Sequence, residues 1–302
     1  MAMTRGTLPE TLEPWVTEIF FNEYTRQDMM YPSVTKVTTS SKAFEDTFKV
    51  AGFGTFILKP EGTPISYDNA VQGPRRRVTH STFALGYRVT EEMQDDEQHG
   101  IIGQMAADLA DAGRNHQEQI FAQPWNTAGV ATSFTTQDGL ALISAAHVAL
   151  KTGTAISNAA VPAVALSHTG LESMMTQIRT MDDDTDRPLV LNPNLLIVHP
   201  DDEWEGQRLL ESEFEINTSE NQINVMKGSR TGLSLFPYRF LTDTNNWFIQ
   251  SSEHKVTVYM RKELTQDSPH TDAQTKDMLV DARWRGSIIP WDHFGINGSL
   301  PA

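Results

Sequence analysis

The amino-acid sequence predicts an α+β fold, and three observations carry that expectation. Apolar residues recur at helical spacing through a long stretch near 92–123. From position 247 onward, apolar and polar residues alternate as they do in half-buried strands. Between 46 and 90, two strand-like runs flank a tip dense in Gly, Pro, Asn and Asp. With 302 residues, the chain has room for one large domain or two modest ones and for a sizeable core.

Taken in order, residues 1–10 read as a loose arm. Leu12, Trp15, Val16, Ile19 and Phe20 then repeat at helical spacing, with Pro14 suited to a first helical turn. Residues 25–45, rich in Thr and Ser, read as an extended arm. The run TFKVAGFGTFILKP leads out along the excursion, EGTPISYDNAVQGP forms its tip, and VTHSTFALGYRVT leads back. Phe83, Leu85, Tyr87 and Val89 share one parity on that return. A two-stranded ribbon of this length is marginal alone, so it should lie on something, and a neighbouring subunit is a good candidate.

The long helix follows. Thr90 can cap it, and Glu91 and Glu92 suit its positive end. Ile102, Met105, Leu109, Gly113, His116 and Ile120 form its stripe. Gly100, Gly103 and Gly113 weaken it, so its first turns should bend, and Pro124 should end it. Turns and small apolar pieces fill 125–166. Ser167 then caps a helix with Leu171, Met174, Met175, Ile178 and Met181 on its apolar side. NLLIV reads as a short buried strand, Pro200 as the opening of a helix through about Leu210, and NWFIQ, KVTVYMR and LVDARWRGSII as strands.

The formal net charge is -15, unevenly spread. Residues 46–90 hold six basic groups against three acids, +3; residues 1–45 hold four against six, -2; so 91–302 carry -16. A protein that neutralises phosphates concentrates Lys and Arg over a face. Here the bulk would repel a polyanion, and contact between the basic segment of one copy and an acidic surface of the next is more natural. Arg75, Arg76 and Arg77, with Lys59 on the same segment, are the candidate intersubunit contacts. The absence of cysteine removes disulfides, thiolate metal sites and cysteine nucleophiles together. The opening residues lack the apolar core of a signal peptide. The longest nearly apolar run, Gly139 to Leu150, falls well short of the roughly 20 residues of a membrane helix.

Catalytic motifs are weak. GFGTFI at 52–57 lacks the third glycine of a dinucleotide loop and reads as a strand with glycines for close packing or bending. Asp138, Ser144 and His147 have the residue types of a hydrolytic triad, but no nucleophile elbow accompanies them; Asp138 reads as a turn or helix cap and His147 as a structural hydrogen-bonding residue. Asp182, Asp183, Asp184 and Asp186 miss the Gly and Glu of a calcium loop, since Arg187 and Pro193 stand there, and read as a solvated acidic turn. His199 and Glu203 do not form a zinc motif. No catalytic residue, cofactor or metal ligand is assigned.

Two stretches, in this order of elements, carry a resemblance. DGLALISAAHVALKTGTAISNAAV (138–161) presents Asp138, Gly139, Leu142, Ser144, His147, Gly153, Ser157 and Asn158. LVLNPNLLIVHPDDEWEGQRLLESE (189–213) is followed by LFPYRFLTDTNNWFIQ (235–250). Together they resemble tailed-phage major capsid proteins of the Hong Kong 97-type fold, closest to the Mu-like major head subunit group, over about 45–300.

The resemblance implies an N-terminal arm (1–45), an extended loop reaching over a neighbouring subunit (46–90), a peripheral domain with a spine helix (91–159), an axial domain (160–250) and a return to the peripheral domain (251–302). It implies a structural shell protein, not an enzyme, that forms pentamers and hexamers of an icosahedral head enclosing double-stranded DNA, the DNA held by non-specific proximity. It also implies assembly in the host cytoplasm with a separate scaffolding protein and a portal protein, room for a decoration protein, and no membrane partner. About ninety residues precede the long helix, and arm and loop need all of them, so a fused scaffold is not expected. Lys59 lies on the kind of segment that carries a crosslinking lysine in some members, but no partner asparagine or catalytic acid can be placed, and self-crosslinking is not expected. An encapsulin-like cellular shell with enzyme cargo is the alternative, and a soluble oligomeric hydrolase using Ser144 and His147 a more distant one.

Overall fold

The computed structural model describes residues 8–26, 28–96, 100–214 and 223–301; the expected loose arm at 1–10 falls mostly outside them. Helix α1 (Leu8–Tyr24) begins ahead of Pro14, which therefore sits inside the helix instead of in its first turn. Val16 and Phe20 are fully buried. Residues 25–45 are not a free arm. They contain the short helix α2 (Tyr31–Val34) and strand β1 (Lys36–Thr39), which runs parallel to β10 (Val256–Gln266). Burial of Tyr31 and Val34 explains the difference, because two apolar anchors suffice to stitch a Thr-rich segment onto a sheet.

The excursion is shorter at its return than the sequence suggests. Strand β2 (Phe44–Ala51) pairs with β3 (Val71–Thr79), and an irregular tip spans 52–70. Strand β4 (Ser81–Val89) leaves the ribbon and pairs antiparallel with β12 (Met278–Pro290). GFGTFI is therefore tip and not strand.

The long helix is interrupted near Gly100, where the sequence predicts bent first turns, and continues through Gly103 and Gly113. A short α3 (Glu91–Asp95) carries the Thr90 cap, whose hydroxyl accepts from Met93 N–H. Gly100, at φ 70°, then turns the chain into α4 (Ile101–Asn126). Pro124 lies within its last turn and Thr127 caps it. Gly103 lets α1 approach, since a Cβ there would stand 2.7 Å from the Trp15 ring. A strap without long elements follows, holding β5 (His147–Val148) and β6 (Ala155–Ile156).

Helix α5 (His168–Arg179) starts on Ser167, whose hydroxyl accepts from Gly170 N–H, and buries Leu171, Met174, Met175 and Ile178 as their spacing predicts. Strand β7 (Pro193–Val198), a 3-10 turn at 200–202, α6 (Glu203–Glu211), α7 (Gly228–Thr231), β8 (Ser234–Pro237) and β9 (Trp247–Ser251) follow. A short β11 (His270–Thr271) and β13 (Ile296–Ser299) complete the set.

Two larger sheets result. One runs β1-β10-β12-β11, with β4 also on β12; α1 and α4 pack with it around Phe121, Trp284 and Val280. The other runs β13-β9-β7-β8, and α5 and α6 cover a second core of Leu171, Met174, Leu196 and Trp247. β13 pairs with β9, so the last described residues end in the second sheet. Of residues 251–302, β10 to β12 lie in the first sheet and 296–299 in the second. No helix among the described residues is long and apolar enough to cross a membrane.

Candidate assembly surface

The ribbon β2–β3 sorts its side chains by parity. Antiparallel pairing sets Asp46 opposite Arg77 and Phe48 opposite Arg75, so these four share one face with Phe44. Arg76 points to the other side. Its guanidinium donates to the Thr135 hydroxyl on the strap. Arg77 makes a bidentate pair with Asp46, 2.8 Å from Nε to Oδ1 and 2.9 Å from Nη2 to Oδ2, and lies 3.8 Å over the Phe44 ring. Arg75 donates to the same carboxylate. The Arg77 and Arg75 hydrogen bonds hold Asp46 down at about 2. The three arginines therefore do not form one patch. Two share a single carboxylate within the chain and leave one surplus positive charge on an exposed face. The third braces the ribbon.

The ribbon does lie on something, and part of that support comes from its own chain. Lys49 Nζ lies 3.0 Å from Asp184 Oδ2 and 3.0 Å from Asp292 Oδ1, with the Phe294 ring 4.4 Å away. Burial pushes the Asp292 carboxyl up against the pull of Lys49. Lys151 Nζ reaches Gly52 O at 3.2 Å and Asp68 Oδ2 at 2.5 Å. The Gly54 N–H and the Lys151 ammonium hold Asp68 at about 2.

Beyond these braces the tip is bare. Phe53, Phe56, Ile57, Leu58, Ile65 and Tyr67 are all exposed, Phe56 fully. Lys59 adjoins them and is exposed too. So many large apolar side chains on one short segment mark a contact surface. Their clustering was legible in GTFILKP, but not that the whole segment would stand clear of the body.

The other motif residues separate. Asp138 and His147 do meet, Nδ1 to Oδ2 at 2.5 Å, with the ring fully buried. Ser144 does not join them as a nucleophile: its hydroxyl accepts from Ala146 N–H, and its backbone N–H donates to Asn158 Oδ1. Asn158 in turn donates to Leu142 O and Ile296 O, stapling the strap to β13. Residues of 138–161 thus meet as a structural junction.

His293, which no sequence signal singled out, stacks on His147 with centroids 3.9 Å apart and planes at 10°. One donor atom each from Asp138, His147 and His293 lies within 4.8 Å of the others. Yet stacked rings hold their in-plane nitrogen lone pairs in two nearly parallel planes that do not converge on a common point, so the trio is not arranged to chelate an ion. The acidic turn disperses as well. Asp183 accepts from Thr185 and Arg187, Asp184 meets Lys49, and Asp186 accepts from Thr152 and Thr154. His199 Nδ1 accepts from Asp201 N–H at the start of the 3-10 turn.

The family model described as phage capsid protein matches residues 75–296. A search of curated proteins finds no match. Among solved structures, the chain is similar to the capsid of the cyanophage P-SCSP1u, with 13% identity, 91% of this chain and 89% of that one covered, and a TM-score of 0.61. A chain of Microbacterium phage Oxtober96 matches at 9% identity over 91% and 92%, with a TM-score of 0.58. A virus-like particle from Pyrococcus furiosus matches at 10% identity over 95% and 98%, with a TM-score of 0.52. At such identities the likeness shows a shared mixed α+β fold. The family match spans well over half of the sequence, so the chain belongs to the phage capsid protein family, the structural proteins of the capsid shell.

Proposed function

We propose that copies of this chain close into pentamers and hexamers of an icosahedral phage head of the Hong Kong 97 type around double-stranded DNA. The observation that carries this reading is the braced ribbon with a bare apolar tip. A single chain spends two buried carboxylates and two lysines on fixing a projection whose end it leaves uncovered, and a second copy is the natural cover. In this reading the tip docks on an adjacent subunit, with Lys59, Arg75 and Arg77 at its margin. Each contact is modest, and repetition around a closed shell makes the whole stable. The motifs at 138–161 and 189–213 support the finer placement among Mu-like head subunits. A separate scaffolding protein, a portal protein and a decoration protein are the expected partners, with assembly in the host cytoplasm.

The test is negative-stain microscopy of the purified chain, alone and with its scaffolding protein. Wild-type protein should give uniform shells, while Phe56→Ser with Leu58→Ser should remain folded by circular dichroism and give none. Normal shells from that double variant would overturn the role of the tip. Copurification of an enzyme cargo without DNA would replace the head with a cellular shell.

A further inference from the structure

The Asp138–His147–His293 cluster joins two residues of the 138–161 motif to a distant turn, and it sits at a junction. His147 and Asp138 belong to the strap; His293 belongs to the turn between β12 and β13. The turn and strap are also joined by Gln137 N–H to Trp291 O at 3.2 Å. Asp292, next to His293, shares Lys49 with Asp184 near the tip end of the ribbon. Three parts of the molecule therefore meet at two stacked imidazoles, one wholly buried and the other 1% exposed at its side chain.

We propose that this stack is a proton-operated latch: when the pair takes up a further proton the rings part, and the 291–295 turn releases the strap and, through Asp292 and Lys49, loosens the outer part of the ribbon. The geometry limits the number of protons the pair can hold. His147 Nδ1 faces Asp138, so a positive charge on this ring has a partner at 2.5 Å. His293 Nδ1 is 3.9 Å from that carboxylate and 3.3 Å from Asp292 Oδ1, which Lys49 already occupies. Neither Nε2 has a hydrogen-bond partner among the described residues. Two imidazolium rings face to face in a buried site repel each other, so a charge on the second ring forces the stack apart.

The charged groups facing the pair are Asp138, Asp292 and Lys49, with Lys255 3.8 Å from Asp292 and Asp184 on the far side of Lys49. Burial first, then His147 and Lys49, hold His293 well below the ordinary histidine value, with Asp138 opposing. The sign follows: an opened state binds the proton more readily than the latched one, so the latch is complete above the histidine value of 6.5 and is lost progressively as pH falls below it.

Hydrogen exchange of the full chain, read by mass spectrometry at pH 7.5 and pH 5.5 with intrinsic rates corrected, tests the proposal. Amides of 136–148 and 291–299 should exchange faster at the lower pH, by up to about tenfold for one proton, while α5 stays protected. His293→Gln should abolish that acid response and His254→Gln should leave it intact. An unchanged wild-type pattern, or a response that persists in His293→Gln, overturns the latch, as does its loss in His254→Gln. Should His293→Gln fail to fold, proton NMR of the wild-type histidines decides. A His293 ring that titrates in step with the loss of protection supports the latch, and one that titrates without it overturns it. Zinc added alone that protects the same amides at pH 7.5 would also overturn it, by making the cluster a metal site.

Discussion

Glu118 shows what a single residue does that no pattern announces. It lies on the buried face of α4, 3% exposed, outside the stripe that spacing marks as core. Its carboxylate accepts from Met30 N–H, from Tyr31 N–H at 3.1 Å and from Tyr238 O–H at 3.4 Å, and so ties the N-terminal segment to the second half of the chain. Glu118→Ala strands these donors, at roughly 1–3 kcal/mol for each that stays buried and unpaired. A loss of about 2–4 kcal/mol is expected, read as a lower urea midpoint. Glu118→Gln should cost less, because the amide oxygen still accepts. Burial raises the Glu118 carboxyl above its ordinary 4.5. Its contribution is therefore fully present below 4.5 and lost as pH rises through the folded value, a slope that Glu118→Gln should remove. The sequence placed Asp138 beside His147 because nine positions separate them. His293 lies 146 positions further on, and only folding brings it there.

At the scale of elements, helices were the most legible. The caps at Thr90 and Ser167 and the stripe of α5 follow from local chemistry and local spacing. Strands were legible as strands, while their partners were not. Alternation in 83–89 serves equally for the return arm of a ribbon or for a sheet strand, and long-range pairing with β12 decided between them. The same holds for β13. The turn before it depends on Gly295, at φ 81°, where a Cβ would stand 3.0 Å from His254 N. Gly295→Ala therefore meets backbone strain and a backbone clash together, for a loss of about 1–3 kcal/mol. Thermal unfolding should show the lowered midpoint, and exchange should increase first in 291–299.

For the whole molecule, charge and exposed apolar surface set the behaviour. The body is acidic and the ribbon basic, although Asp46 masks much of the arginine charge. Changing Arg75→Gln and Arg77→Gln together turns the local balance with Asp46 from one positive to one negative charge. The fold should be nearly unaffected, since exposed pairs contribute little. Shell formation, followed by light scattering between about 0.05 and 0.5 M salt, should weaken and lose its salt dependence, because contacts between copies are screened over about a Debye length. A variant that assembles with wild-type salt dependence would restrict the arginines to bracing the ribbon.

The sequence by itself determined the α+β class, the long helix with weak first turns, the buried stripe of α5 and the strand character of the last third, because each depends on residues within a few positions of one another. Tertiary structure decided where the ribbon ends, that the N-terminal segment is stitched to a sheet, which sheet receives β13, and that His293 covers His147. These outcomes turn on hydrogen-bond partners and buried charges contributed by distant segments, and periodicity carries no record of which distant segment will supply them.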